Sequence, residues 1–266
     1  MGSTFLTMLA GGIFGLTAAS RTDQIAWRFY RVVAITVSLL LGGVFGLMIR
    51  NRAWQSGTLT TTALAVAAVG SVIALALVVM TASEAIYRPR VVRPLSIGGT
   101  VAALTTAGLL GQADGIFANA NTLLALISMV LSATVIGSVT LATMLGHAYL
   151  TATKMTIAPL RRLAGVFAGA MIARCLWVVL VAGGMSWSLL NGGEPAAVAL
   201  RGDVLMISVR VAVGLLIPLV FAYMVWETVK LRATQSATGI LYFTLVLAYV
   251  GELTGLYLVR QTGIPF

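Results

Sequence analysis

The sequence predicts an all-α, polytopic membrane protein. It reads as one integral-membrane domain over 1–266, a bundle of about eight transmembrane helices with short loops. Three observations predict this. Of the 266 residues, 59% are hydrophobic and only 9% are charged, where a soluble domain carries about 25% charged residues. The apolar residues fall in blocks of roughly 18 to 24, the length that crosses about 30 Å of hydrocarbon at 1.5 Å per residue. The segments between blocks stay below about 20 residues, so no soluble domain is inserted and neighbouring helices run antiparallel. Mean hydropathy is +1.02, and the cell (inner) membrane is the expected location.

The first span covers 4–19. No Lys or Arg precedes it, so it lacks the basic region of a secretory signal peptide and is expected as a retained helix. The second, 32–49, repeats a pattern of the first: Leu40–Leu47 resembles Leu9–Leu16, each with glycines four apart, Gly11/Gly15 and Gly42/Gly46. Gly165/Gly169 and Gly251/Gly255 share the spacing, which lets helix backbones approach closely. These positions are expected to pack helices together. No longer repeat is visible. The third span is 58–80. The fourth, 96–111, is the weakest, being short and rich in Gly and Thr. The fifth, sixth, seventh and eighth are 121–146, 163–185, 204–226 and 237–259. Pro218 is expected to kink the seventh, because it cannot donate a backbone hydrogen bond. Ser236 or Thr234 is the expected N-cap of the eighth.

Basic residues set the orientation. The loops after spans one, three, five and seven hold Arg21, Arg28, Arg31, Arg88, Arg90, Arg93, Lys154, Arg161, Arg162, Lys230 and Arg232. The opposite side holds only Arg50, Arg52, Arg201 and Arg260. The positive-inside rule then puts both termini on the non-cytoplasmic side. The asymmetry survives only if the fourth span crosses, so it is expected to cross. The same distribution accounts for the net charge of +10 without a nucleic-acid partner.

The inventory excludes much chemistry. One His and one Cys rule out a haem held by two histidines, and a zinc or copper site built from several such ligands. The sequence has no C-x-x-C-H, no phosphate loop and no G-x-S-x-G elbow. Cys175, alone, forms no internal disulfide. The chain is not expected to be an autonomous enzyme, and this chain alone binds no cofactor; quinone or phospholipid are the candidate ligands.

Three charged residues cannot be placed at a membrane surface: Arg174, Arg210 and Glu252. Such residues are costly and mark functional sites or pairs. Arg210 and Glu252 fall at similar depth on antiparallel spans and are expected to pair. Tyr249 and Tyr242 share a helical spacing with Glu252, placing Tyr249 within reach of its carboxylate. No acid lies at the depth of Arg174. Its expected answer is Ser128, Ser132 and Thr134 of span five, backbone carbonyls, water, or an anionic ligand. A second candidate is a polar stripe of Thr140, Thr143, His147, Thr151 and Lys154 at the cytoplasmic end of span five, continued until Pro159 stops the helix. With Arg161 and Arg162 nearby, His147, Lys154, Arg161 and Arg162 form a candidate quinone or lipid pocket. Tyr149, Trp226, Trp54 and Trp187 read as interfacial aromatics.

Minimal loops and the lack of a ligand set predict an integral subunit of a larger membrane complex, of the respiratory or electron-transferring kind. Its expected partners are other complex subunits and lipids. The alternative is a small secondary transporter or channel using the in-membrane Arg and Glu residues.

Overall fold

The computed structural model describes residues 1–20, 25–151, 156–190 and 204–266. It is all-helical, with eight helices long and apolar enough to span a membrane. They are α1 (Gly2–Ala19), α2 (Trp27–Arg50), α3 (Thr58–Met80), α4 (Pro89–Ala113), α5 (Thr122–Thr151), α6 (Ala158–Leu190), α7 (Val204–Lys230) and α8 (Thr234–Thr262). Most extend beyond the expected spans, since a helix does not stop where hydrocarbon ends. The weak fourth span becomes a helix of 25 residues. It starts at Pro89, whose fixed φ and missing N–H suit the first turn of a helix.

Contacts divide the helices into two rings of four. In the first, α1 packs on α2, α2 on α3, α3 on α4, and α4 back on α1; in the second, α5, α6, α7 and α8 close in the same order. The rings meet chiefly through α1 against α5. Glycine makes that junction possible. A Cβ on Gly12 would lie 1.9 Å from the carbonyl oxygen of Ala133, and one on Gly137 would lie 2.4 Å from the backbone of Gly12. The two helices therefore touch backbone to backbone.

The expected glycine positions divide sharply. Gly11 and Gly15 pack on Leu104 and Thr100 of α4, Gly165 packs on Trp226, and Gly251 meets Gly214. Gly42, Gly43 and Gly46 of α2 meet nothing: no atom lies within 4 Å of a Cβ placed on any of them. Among the described residues the second glycine segment packs no helix, contrary to expectation.

Span seven is not uniformly α-helical. A π-helical turn, Ala212–Leu216, separates Val204–Val211 from Ile217–Lys230, and Pro218 follows it directly. The turn carries Gly214 onto Gly251 of α8, where an added Cβ would lie 2.5 Å from Gly251 Cα. The turn between α7 and α8 is shorter than expected. Arg232, at φ 58°, reverses the chain, and Ala233 rather than Thr234 or Ser236 precedes the helix, with no side-chain cap. The helices extend so far that Thr234 is already helical and its carbonyl accepts from Thr238 Oγ1 at 2.7 Å. Pro159 likewise lies in the first turn of α6 rather than marking the end of α5.

Candidate functional site

The second ring encloses all the buried charge among the described residues: Arg174, Arg210 and Glu252 are each at most 2% exposed. Glu252 comes from α8, Arg210 from the residue two before the π-helical turn of α7, and Arg174 from the middle of α6. Glycine again sets the approach. Gly255, one turn beyond Glu252, lets the Arg210 guanidinium lie where a Cβ would be only 3.2 Å from its Cζ.

The Glu252 carboxylate is shared between the two arginines. Oε1 accepts from Arg210 Nη1 at 3.1 Å and Nη2 at 3.2 Å. Oε2 accepts from Arg174 Nη2 at 3.1 Å and Ser132 Oγ at 2.6 Å. The pairing of Arg210 with Glu252 follows the antiparallel geometry of the last two spans. The assignment of Arg174 is corrected: it does have an acidic partner within the chain. A carboxylate offers two oxygens, so pairing Glu252 with Arg210 leaves Oε2 free for a second guanidinium.

Span five answers Arg174 as well. Nη1 donates to Ser128 Oγ at 2.8 Å and to the Ser128 carbonyl at 3.3 Å. Thr134 takes no part and donates to the carbonyl of Val130. A third contribution was not legible in the spans. Gly263, at φ 71°, ends α8 in the left-handed conformation, which costs glycine nothing. The chain then folds back, and the Phe266 carbonyl oxygen accepts from Arg174 Nη2 at 2.7 Å and Arg210 Nη2 at 3.5 Å. The Trp177 indole N–H holds this return segment by donating to the Pro265 carbonyl at 2.8 Å. Gly-Ile-Pro directly after an apolar helix was the available signal for such a reversal.

The cluster thus joins α5, α6, α7, α8 and the 263–266 segment through one carboxylate. It holds one more cation than anion. Both arginine Nε–H groups are buried without a hydrogen-bond partner, so it is not fully satisfied.

No protein-family model matches the chain, and no characterised protein matches it in sequence.

A polar seam continues from the cluster along α5 and α8, but not as the expected stripe. Thr140 and Thr143 are buried and bond the carbonyls of Ile136 and Val139 one turn back. Thr140 also bonds the Tyr249 hydroxyl at 2.8 Å, so Tyr249 points to α5 rather than to Glu252. Its ring stands edge-on to Phe5 of α1 at 5.2 Å. Tyr242, about two turns before Tyr249, is exposed, and its hydroxyl lies 3.3 Å from His147 Nδ1. Neither tyrosine bonds the Glu252 carboxylate: Tyr249 is taken up by Thr140 and Tyr242 lies beside His147 at the far end of the seam.

The described residues of the expected quinone or lipid pocket, His147, Arg161 and Arg162, have different neighbours. His147 is exposed beside Tyr242. Arg161 lies over the Trp226 ring of α7. Arg162 lines a groove with Leu16 and Ala19 of α1. Consecutive residues on a helix point about 100° apart, so the two arginines serve different neighbours. The side chains of Thr151, Lys154 and Trp187 lie outside the described residues. Of the expected interfacial aromatics, Trp54 is exposed and Trp226 half-buried, whereas Tyr149 is buried and donates to the Thr156 carbonyl. Among the described residues no three His, Cys, Asp or Glu side chains come together as a metal site.

Proposed function

We propose that the chain is a cofactor-free integral subunit of a larger membrane assembly, and that the Arg174–Glu252–Arg210 cluster is its internal clasp. The observation that carries this reading is the closure of the cluster. Its carboxylate accepts four hydrogen bonds from within the chain, and its members are at most 2% exposed. A transport pathway needs its charges to meet water on one side or the other. A clasp needs them to meet each other, and one carboxylate here fixes four helices in register.

The empty glycine face of α2 supports the assembly. Close-approach glycines at Gly12/Gly137 and Gly214/Gly251 are filled by the chain's own helices, whereas Gly42, Gly43 and Gly46 stand open. A helix of another subunit fits such a face. Since one His and one Cys cannot supply a bis-histidine haem or a cluster held by several cysteines, an electron-transferring assembly of that kind would carry its cofactors in other chains. The exposed His147 beside Tyr242 is then the group of this chain placed to hydrogen-bond a quinone carbonyl.

Gentle detergent extraction followed by native electrophoresis tests the reading. The chain is expected to migrate with larger subunits, and Gly42→Leu is expected to release it from them. A monodisperse species containing this chain alone rejects the proposal. The transporter reading has one observation in its favour: the π-helical turn beside Arg210, since such turns recur at functional sites. Uptake of a charged solute by proteoliposomes holding only this chain would favour it.

A further inference from the structure

We propose that the lateral groove between α6 and α7 is a binding site for one anionic phospholipid. The groove measures about 320 Å³. It is walled by Gly165, Gly169 and Ile172 of α6 and by Leu219, Tyr223 and Trp226 of α7. Among the described residues no atom lies within 4 Å of a Cβ placed on Gly169, so the missing side chains leave a trough along the helix surface. Its walls are apolar and open sideways, as an acyl chain requires, and Ile172 and Tyr223 are 52% and 66% exposed there.

One end of the trough is cationic. The Trp226 ring carries the Arg161 guanidinium at 5.6 Å and the Lys230 ammonium at 5.4 Å. Both cations lie within reach of the ring's negative face. Arg161 stands in the first turn of α6 and Lys230 at the last residue of α7, the level at which lipid head groups sit. Glu227 answers Lys230 at 2.7 Å, but no carboxylate pairs with Arg161 among the described residues. An unpaired guanidinium above an apolar trough matches a lipid phosphate, whose oxygens accept its N–H groups in charge-assisted hydrogen bonds. The geometry is independent of the charge clasp and of the subunit reading.

Brominated lipids quench nearby tryptophan, and Trp226 forms one wall of the groove. The experiment uses the whole chain in phosphatidylcholine nanodiscs with increasing brominated phosphatidylglycerol or brominated phosphatidylcholine. The Trp226 signal is the difference between the chain and its Trp226→Phe variant. Quenching is expected to saturate at a lower fraction of the anionic lipid, by about fivefold, the weight of one basic residue beside an anionic head group. Arg161→Gln should abolish that preference and leave quenching by phosphatidylcholine unchanged. Gly169→Leu, whose side chain meets open space, should reduce quenching by both lipids. Arg161 is exposed and Gly169 faces the trough, so neither variant disturbs the core. Equal quenching by the two lipids overturns the proposal, as does a preference that survives Arg161→Gln or quenching unmoved by Gly169→Leu. Absence of quenching by either lipid overturns it too, since another helix would then cover the groove.

Discussion

Glu252→Gln cancels the one negative charge in the clasp while keeping the side chain's size. The carboxylate of Glu252 accepts three hydrogen bonds from guanidinium groups and one from Ser132. After the substitution, Arg174 and Arg210 remain buried with no anion between them. Removing one partner from a buried ion pair costs about 3–5 kcal/mol, because the remaining charge is uncompensated. Arg210→Met does the opposite. It leaves Arg174 and Glu252 balanced one to one, with Ser128 and Ser132 in place, and removes a buried Nε–H that had no partner. Its cost is limited to lost charge-assisted hydrogen bonds, about 1–3 kcal/mol. The expected difference, roughly 2 kcal/mol, is more than tenfold in the unfolding equilibrium. Reversible unfolding in mixed detergent and SDS micelles, followed by circular dichroism, measures both variants under one condition. Arg210→Met destabilising the bundle as much as Glu252→Gln, or more, refutes the argument that charge imbalance governs the clasp.

The other predictions concern the glycines, the return segment and the histidine. Gly12→Ala should destabilise the bundle by about 3 kcal/mol, at the upper end of overpacking costs, because its Cβ meets the Ala133 carbonyl at 1.9 Å; Gly42→Ala, whose Cβ meets open space, should stabilise the bundle by about 1 kcal/mol, the helix cost of a glycine, and the same SDS titration compares them. Gly263→Ala forces a side chain into a backbone at φ 71° and places its Cβ 3.0 Å from Asn119; about 1–2 kcal/mol of stability should be lost. The emission of Trp177, bonded to Pro265, should change with it, and an unaltered spectrum would mean that the return segment holds without the turn. His147→Ala removes one exposed contact to Tyr242, so bundle stability should hold within about 0.5 kcal/mol; quinone-linked turnover of the parent assembly should fall, and unchanged turnover would reduce His147 to a helix anchor.

Eight apolar blocks were legible because hydropathy and length report directly on the cost of burying backbone in hydrocarbon. The pairing of Arg210 with Glu252 was legible for a similar reason: sequential antiparallel spans place residues at matching depth. The depth rule says nothing about which non-sequential helices meet. Arg174 lies 78 residues from Glu252, and only the closing of α5 to α8 into a ring brings α6 and α8 to one carboxylate. Ser128 and Ser132 were identified as polar positions of span five, but their division of labour was not: Ser128 serves Arg174 while Ser132 serves Glu252. The stripe from Thr140 to His147 failed for a different reason. In an apolar helix a threonine satisfies itself on the carbonyl one turn back, so helical spacing among hydroxyls does not imply a shared polar surface.

The glycines show where one chain's specification of the fold ends. Gly12, Gly137, Gly214 and Gly251 lie where a Cβ would strike backbone under 3 Å away. Between apolar helices in lipid, such approaches supply packing that the hydrophobic effect cannot, because lipid tails are as apolar as leucine. Gly42, Gly43 and Gly46 have the same spacing and meet nothing. Inside a helix a glycine costs about 1 kcal/mol relative to alanine, so three in one short face form a standing expense in helix stability. Among the described residues nothing offsets it. A second backbone drawn against α2 would, and that is the physical basis for placing a partner helix there.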